Sequence, residues 1–103
     1  MKKVSIIIPC KKIESMTEKC IKKCLKLNYD NFEIIVLPDK VNEEILKKFS
    51  DKKIRIISTR NVKPSFKRNL GMKKANGEFF AFIDSDAYPK KTWLKNYNDK
   101  CVE

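Results

Sequence analysis

Asp84-Ser85-Asp86 sets two carboxylates one residue apart, directly after the apolar run Phe79-Phe80-Ala81-Phe82-Ile83. Carboxylate oxygens held that close repel one another unless a cation lies between or beside them. Hard divalent ions such as Mg²⁺ or Mn²⁺ prefer such oxygens. Metal binding at a strand end is therefore one chemistry open to this stretch. The other is structural, because Asp and Ser are also ordinary residues of turns and helix N-caps, and Asp-x-Asp is a short pattern. Asp39, after the apolar run Phe32 to Leu37, and Arg68 add an acid and a phosphate-type cation to the candidates. For Arg68 the alternative is a surface helix charge.

Several other chemistries are excluded. The chain has no histidine, which removes Ser-His-Asp and Cys-His catalysis, the H-E-x-x-H zinc helix and the two-Cys two-His finger. With Gly71 and Gly77 as the only glycines, neither G-x-G-x-x-G nor a P-loop can be written. Cys20 and Cys24 lie one helical turn apart, on the apolar face expected for Met16 and Leu27. They read as small buried hydrophobes rather than as a redox or metal pair, and Cys10 and Cys101 add no ligand spacing.

The net charge is +11, from 24 Lys and Arg against 13 Asp and Glu, spread as short pairs such as Lys11-Lys12 and Lys22-Lys23. A solvated lysine surface accounts for this. An anionic small ligand or an anionic membrane surface would exploit it. No apolar run approaches a membrane span, and the run after Lys2-Lys3 is too short for a signal peptide. The expected location is cytoplasmic, with membrane association as the variant that the charge allows.

The elements that would position these residues follow from the pattern. Val4 to Ile8, Phe32 to Leu37, Ile54 to Ile57 and Phe79 to Ile83 read as strands. The last is expected to be buried on both faces and the third to lie at an edge. Between them, helices are expected from a Ser15/Glu18 capping box, from Asn42 as N-cap, and from Pro64 in a first turn. Their inward residues are expected to include Met16, Leu46 and Phe66. A last short helix after Pro89 carries Trp93, Leu94 and Tyr97.

Strict alternation predicts an α/β fold: one Rossmann-like domain over residues 1–103, three layers α/β/α, with a mostly parallel four-stranded sheet. Ligands of such sheets bind off the carboxyl ends of the strands, near the point where strand order reverses. Pro9-Cys10, Asp39, Ser58-Thr59-Arg60 and Asp84-Ser85-Asp86 all fall on that edge.

Four stretches in order resemble the family 2 glycosyltransferases of GT-A fold: Val4-Ser5-Ile6-Ile7-Ile8-Pro9, Asn31 through Asp39, Lys67-Arg68-Asn69-Leu70-Gly71, and Asn76-Gly77-Glu78 through Asp86. The resemblance implies the nucleotide-sugar-binding half of such an enzyme. Its members transfer a sugar from a nucleoside diphosphate, most often a UDP-sugar, to an acceptor, usually with Mn²⁺ or Mg²⁺. Carried over by position, the turn at Pro9 and Cys10 would flank the base and Asp39 would accept a hydrogen bond from uracil. Arg68 would lie near the base and phosphates. Asp84, with Ser85 beside it, would approach the ribose, and Asp86 would ligate the metal.

The chain departs from the family at Pro38, where a second acid is common, at Lys40-Val41 in place of Gly-Ser, and at Lys11-Lys12 in place of an aromatic-Asn pair. In the family the general base follows the region matched here, so no catalytic residue is assigned and the acceptor is unknown. The alternatives are a non-catalytic nucleotide-binding module of the same fold and, against the element order, an RNA-binding domain. No nucleic acid is expected as a partner. Self-association is expected if the half-domain exposes apolar surface.

Overall fold

The computed structural model describes residues 2–94. Strands β1 (Val4–Pro9), β2 (Phe32–Leu37), β3 (Ile54–Ile56) and β4 (Phe79–Phe82) alternate with helices α1 (Ser15–Leu25), α2 (Glu43–Lys48) and α3 (Pro64–Lys74). All strand pairings are parallel, in the order β3-β2-β1-β4. The order reverses between β1 and β4, so their carboxyl ends open the crevice expected of an α/β sheet.

Alternation along the strands builds two cores. Ile6, Ile8, Ile34 and Val36 face one side, with Cys20, Ile21 and Cys24 of α1 and Phe49 after α2. Ile7, Ile35 and Leu37 face the other, where Leu70 and Met72 of α3 pack. Ile6, Ile7, Ile8, Ile34 and Ile35 are all 0% exposed, each worth about 1.5–3 kcal/mol of burial. These sides give the three layers, with the apolar central strands that the sequence predicts.

Three details differ from the sequence expectation. β4 is an edge strand, not one buried on both faces. Among the described residues its one strand neighbour is β1, and Phe82 is 43% exposed. The first helix is capped one residue earlier than expected, by a Glu14/Thr17 box in which the Glu14 N–H donates to Thr17 Oγ1 at 3.4 Å. Met16, Leu46 and Phe66 are exposed rather than inward, because each lies on the flank of a helix whose sheet-facing stripe is narrow. Asn42 does cap α2, accepting from the Ile45 N–H at 2.8 Å, and Pro64 does open α3. Trp93 and Leu94 have helical backbone; Tyr97 and Cys101 lie outside the described residues. Among the described residues no helix is long and apolar enough to cross a membrane.

Three contacts fix α3 on its face of the sheet. Beyond its C-terminus, buried Glu33 accepts from Ser5 Oγ and the Asn76 N–H, each at 2.6 Å, and from Arg55 Nη1 at 3.3 Å. In its middle, Gly71 lies so close to β1 and β2 that a Cβ there would stand 2.8 Å from Ile7 Cγ2 and 3.3 Å from Leu37 Cδ1. Near its N-terminus, Lys67 reaches across the strand ends. That third contact belongs to the site.

Candidate functional site

The carboxyl ends of β1, β2 and β4 and the first turns of α3 surround a cavity of about 300 Å³. All six non-metal residues singled out from the sequence line it: Pro9, Cys10, Asp39, Arg68, Asp84 and Ser85. Lys11, Lys67 and the segment Asn61, Val62 and Pro64 complete the wall. The seventh, Asp86, does not line the cavity. It is exposed in the turn that the Ala87 N–H closes by donating to the Asp84 carbonyl at 3.0 Å. The two acids of the Asp-x-Asp pattern are thus separated, one in the cavity wall and one exposed in the turn that follows.

Backbone bonds hold the strand ends in register. The Cys10 N–H donates to Leu37 O at 3.2 Å, the Asp39 N–H to Lys11 O at 3.0 Å, and the Arg60 N–H to Asp39 O at 2.8 Å. Arg60 makes its bond from a left-handed backbone, φ 71°, a conformation uncommon for a residue with a side chain. The loop after β3 is thereby folded back against Asp39.

Consecutive residues of α3 pair with acids from two different strands. Lys67 Nζ lies 2.5 Å from Asp39 Oδ1, the two side chains 4% and 16% exposed, and donates to the Cys10 carbonyl at 2.5 Å. Arg68 Nη2 stands 4.0 Å from Asp84 Oδ1, the two side chains 41% and 79% exposed. The first pair is closed and dry; the second is open. Sequence reading assigned Lys67 no role. The signal was its place four residues before buried Gly71, on the face of α3 that meets the sheet.

Cys10 contributes its backbone and bulk rather than a nucleophile. Burial pushes its thiol up to about 11, against the opposing pull of the Lys67 ammonium, and only a thiolate attacks readily. Cys20 and Cys24 are fully buried, as expected of small hydrophobes. Among the described residues no three His, Cys, Asp or Glu side chains converge as a ready-made metal cage. Asp84 and Asp86 can supply one or two carboxylate oxygens. That donor set suits Mg²⁺ or Mn²⁺ when phosphate oxygens and water fill the remaining positions.

A second cavity, of about 580 Å³, opens on the other side of Asp39 and is lined by Lys11, Lys12, Lys40 and Val41, with Ile13 and Ile45 behind them. Lys11-Lys12 and Lys40-Val41 are two of the three places where the sequence departs from the family pattern. The departures are therefore neighbours in space, and they make one wall of this second cavity basic.

The sequence profile described as glycosyl transferase family 2 matches residues 5–99. An uncharacterized glycosyltransferase of Rickettsia bellii is 42% identical over 88 residues, covering 82% of this chain and 13% of that protein. A dolichyl N-acetyl-alpha-D-glucosaminyl phosphate 3-beta-D-2,3-diacetamido-2,3-dideoxy-beta-D-glucuronosyltransferase of Methanococcus voltae is 33% identical, covering 90% of this chain and 32% of its own length. The crystal structure of residues 1–349 of Staphylococcus aureus TarS in complex with UDP-GlcNAc superposes with a TM-score of 0.77 at 30% identity, over 94% of this chain and 30% of that one. The mannosyltransferase PcManGT of Pyrobaculum calidifontis, solved with GDP-Man and Mn²⁺, superposes at 0.83 with 17% identity, over 97% of this chain and 32% of that one, a likeness of fold. The chain spans about a third or less of each of these proteins.

Proposed function

The chain belongs to glycosyl transferase family 2, and on that premise we propose that it is the part of a glycosyltransferase that binds a nucleoside diphosphate sugar, with UDP as the nucleotide. The observation that carries this reading is the gathering of Pro9, Cys10, Asp39, Arg68, Asp84 and Ser85 on one cavity at the strand-order reversal. The likeness to TarS, crystallised with UDP-GlcNAc at 30% identity, supports a uridine nucleotide.

In this reading the Pro9-Cys10 turn flanks the base, and Asp39 accepts a hydrogen bond from a ring N–H. Asp84 and Ser85 take the ribose hydroxyls, and Arg68 faces the phosphates. Asp86, exposed in the turn after Asp84, would hold a divalent ion of the Mg²⁺ or Mn²⁺ kind. Bound there, such an ion supplies Lewis-acid stabilisation of the charge that develops on the departing diphosphate. Arg68 adds a second positive charge on the same side, and charge-assisted bonds from guanidinium to phosphate are among the strongest available.

Sugar transfer also needs an acceptor site and a general base. We place both outside residues 1–103, so that this stretch is one nucleotide-sugar-binding domain. Calorimetry of the full chain with UDP and Mn²⁺ tests the reading. Metal-dependent binding that Asp86→Ala weakens is expected; no binding by the wild type, or equal binding by the variant, overturns it. Acceptor-dependent turnover would separate a transferase from a module that only binds.

A further inference from the structure

Two charged residues of the cavity, Lys11 and Lys67, have no task in the roles above, and of these Lys67 is the buried one. Its ammonium is nearly buried and touches two groups, Asp39 Oδ1 and the Cys10 carbonyl. Cys10 follows β1 and Asp39 follows β2, while Lys67 belongs to the helix that crosses beneath both. One nitrogen therefore ties together the two strand ends between which the base is placed. The neighbouring Arg68 turns instead to Asp84, beyond β1 on the other side of the reversal.

Packing alone does not call for a lysine here. Burying two charges is costly, and well-packed neutral residues of similar volume are often as stable as a buried ion pair. What the pair adds is geometry and charge balance. An ammonium has three N–H groups, and a carboxylate has two acceptor oxygens. With Oδ1 held by Lys67, the carboxylate plane is fixed and Oδ2 is left as the acceptor. The carboxylate charge is also neutralised beside the place where a diphosphate must enter, where a bare anion would repel it.

We infer that Lys67 is a positioning residue for recognition of the nucleobase: it orients Asp39 and the Cys10 turn toward the base and does not itself touch the phosphates. This deepens, and rests on, the nucleotide-sugar reading above.

The test compares two ligands on the full chain, UDP and inorganic pyrophosphate, each titrated calorimetrically with Mn²⁺ present. Lys67→Met is expected to weaken UDP by about tenfold or more, the size of one lost charge-assisted hydrogen bond, and to leave pyrophosphate within about twofold. The double variant Lys67→Met/Asp39→Asn is expected to bind UDP no worse than Lys67→Met, because the two side chains act as one unit. Equal weakening of both ligands would mean a phosphate contact or a general structural role, and overturns the inference. So does wild-type UDP affinity in Lys67→Met.

If Lys67→Met does not fold, Lys67→Gln, which keeps an N–H donor but neither the charge nor the reach of the ammonium, decides by the same comparison. Weakened UDP with pyrophosphate retained supports the role, and unchanged UDP overturns it. A wild type that binds pyrophosphate but no nucleoside diphosphate overturns the nucleotide-sugar reading itself, and this role with it.

Discussion

Arg68 and Asp84 meet across the strand-order reversal without closing on each other: Nη2 and Oδ1 stand 4.0 Å apart, with 41% and 79% of the side chains exposed. An ion pair that open contributes about 0–1 kcal/mol. Neither residue is committed to the fold, so each is available to a ligand. Arg68→Ala should therefore leave the thermal unfolding midpoint within about 2 °C of the wild type. It should weaken UDP binding about 10- to 100-fold, as expected for a lost guanidinium–phosphate interaction. Differential scanning fluorimetry and calorimetry on the same samples check both halves; a variant that is destabilised yet binds normally contradicts the assignment.

The carboxylates of Asp84 and Asp86 predict a metal requirement. Chelation with EDTA should abolish most UDP binding, and adding back Mn²⁺ or Mg²⁺ should restore it. Asp86→Asn should raise the Mn²⁺ concentration needed for half-maximal binding by more than about tenfold, since a neutral amide is a poorer ligand for a hard cation. UDP binding that ignores EDTA would remove the metal from the site.

Glu33 predicts an acid limb in the stability of the fold. Burial pushes its carboxyl up, but the bonds from Ser5, the Asn76 N–H and Arg55, with Lys3 nearby, outweigh burial and hold it below the ordinary carboxylate range. A depressed folded-state pKa contributes stability that is fully present above the unfolded value, near 4.5, and is lost as pH falls through the folded value. Glu33→Gln should lower the unfolding midpoint at neutral pH and flatten its fall below about pH 4.5. Unfolding curves measured at a series of pH values for both proteins would reveal this; parallel acid limbs would show that another carboxylate is responsible.

Gly71 lets α3 approach β1 and β2 closely enough for Lys67 and Arg68 to reach the strand ends. A methyl group there would stand 2.8 Å from Ile7 Cγ2, a side chain held inside the core. Gly71→Ala should cost about 1–3 kcal/mol by overpacking, more than the better helix propensity of alanine returns. Denaturant titration gives the number directly. A stabilised variant would mean that the helix can lift off the sheet freely.

Much of this architecture was legible because each central strand carries a single polar residue, Ser5 or Glu33, in an otherwise apolar run. Ile6-Ile7-Ile8 and Phe32 to Leu37 announce burial on both sides, and their punctuation by Pro9 and Pro38-Asp39 marks the edge where the cavity lies. β4 misled for a physical reason. Phe79 to Phe82 is as apolar as the Ile6-Ile7-Ile8 stretch of β1, but composition does not say how many neighbours a strand has, and among the described residues this one pairs with β1 alone. Lys67 was illegible because lysine is nearly always a surface residue, and its partners, Cys10 and Asp39, are distant in sequence. Asp84 and Asp86 look equivalent as a motif. Only the turn between them puts one in the cavity wall and leaves the other exposed outside it.

The order β3-β2-β1-β4 puts the earliest strand at the centre of the sheet. Val4 pairs with Phe32 on one side and with Phe79 on the other, so the second pairing closes a far longer loop than the first. Contacts of such long sequence separation slow folding. As the chain leaves the ribosome, β1, β2 and β3 can assemble with α1 and α2 while one edge of β1 waits for its partner. Among the described strands, the pairing of β4 with β1 is therefore the last to close. On refolding, amide protection of Phe79–Phe82 should appear after that of Phe32–Leu37, and competence to hold a ligand should appear with it.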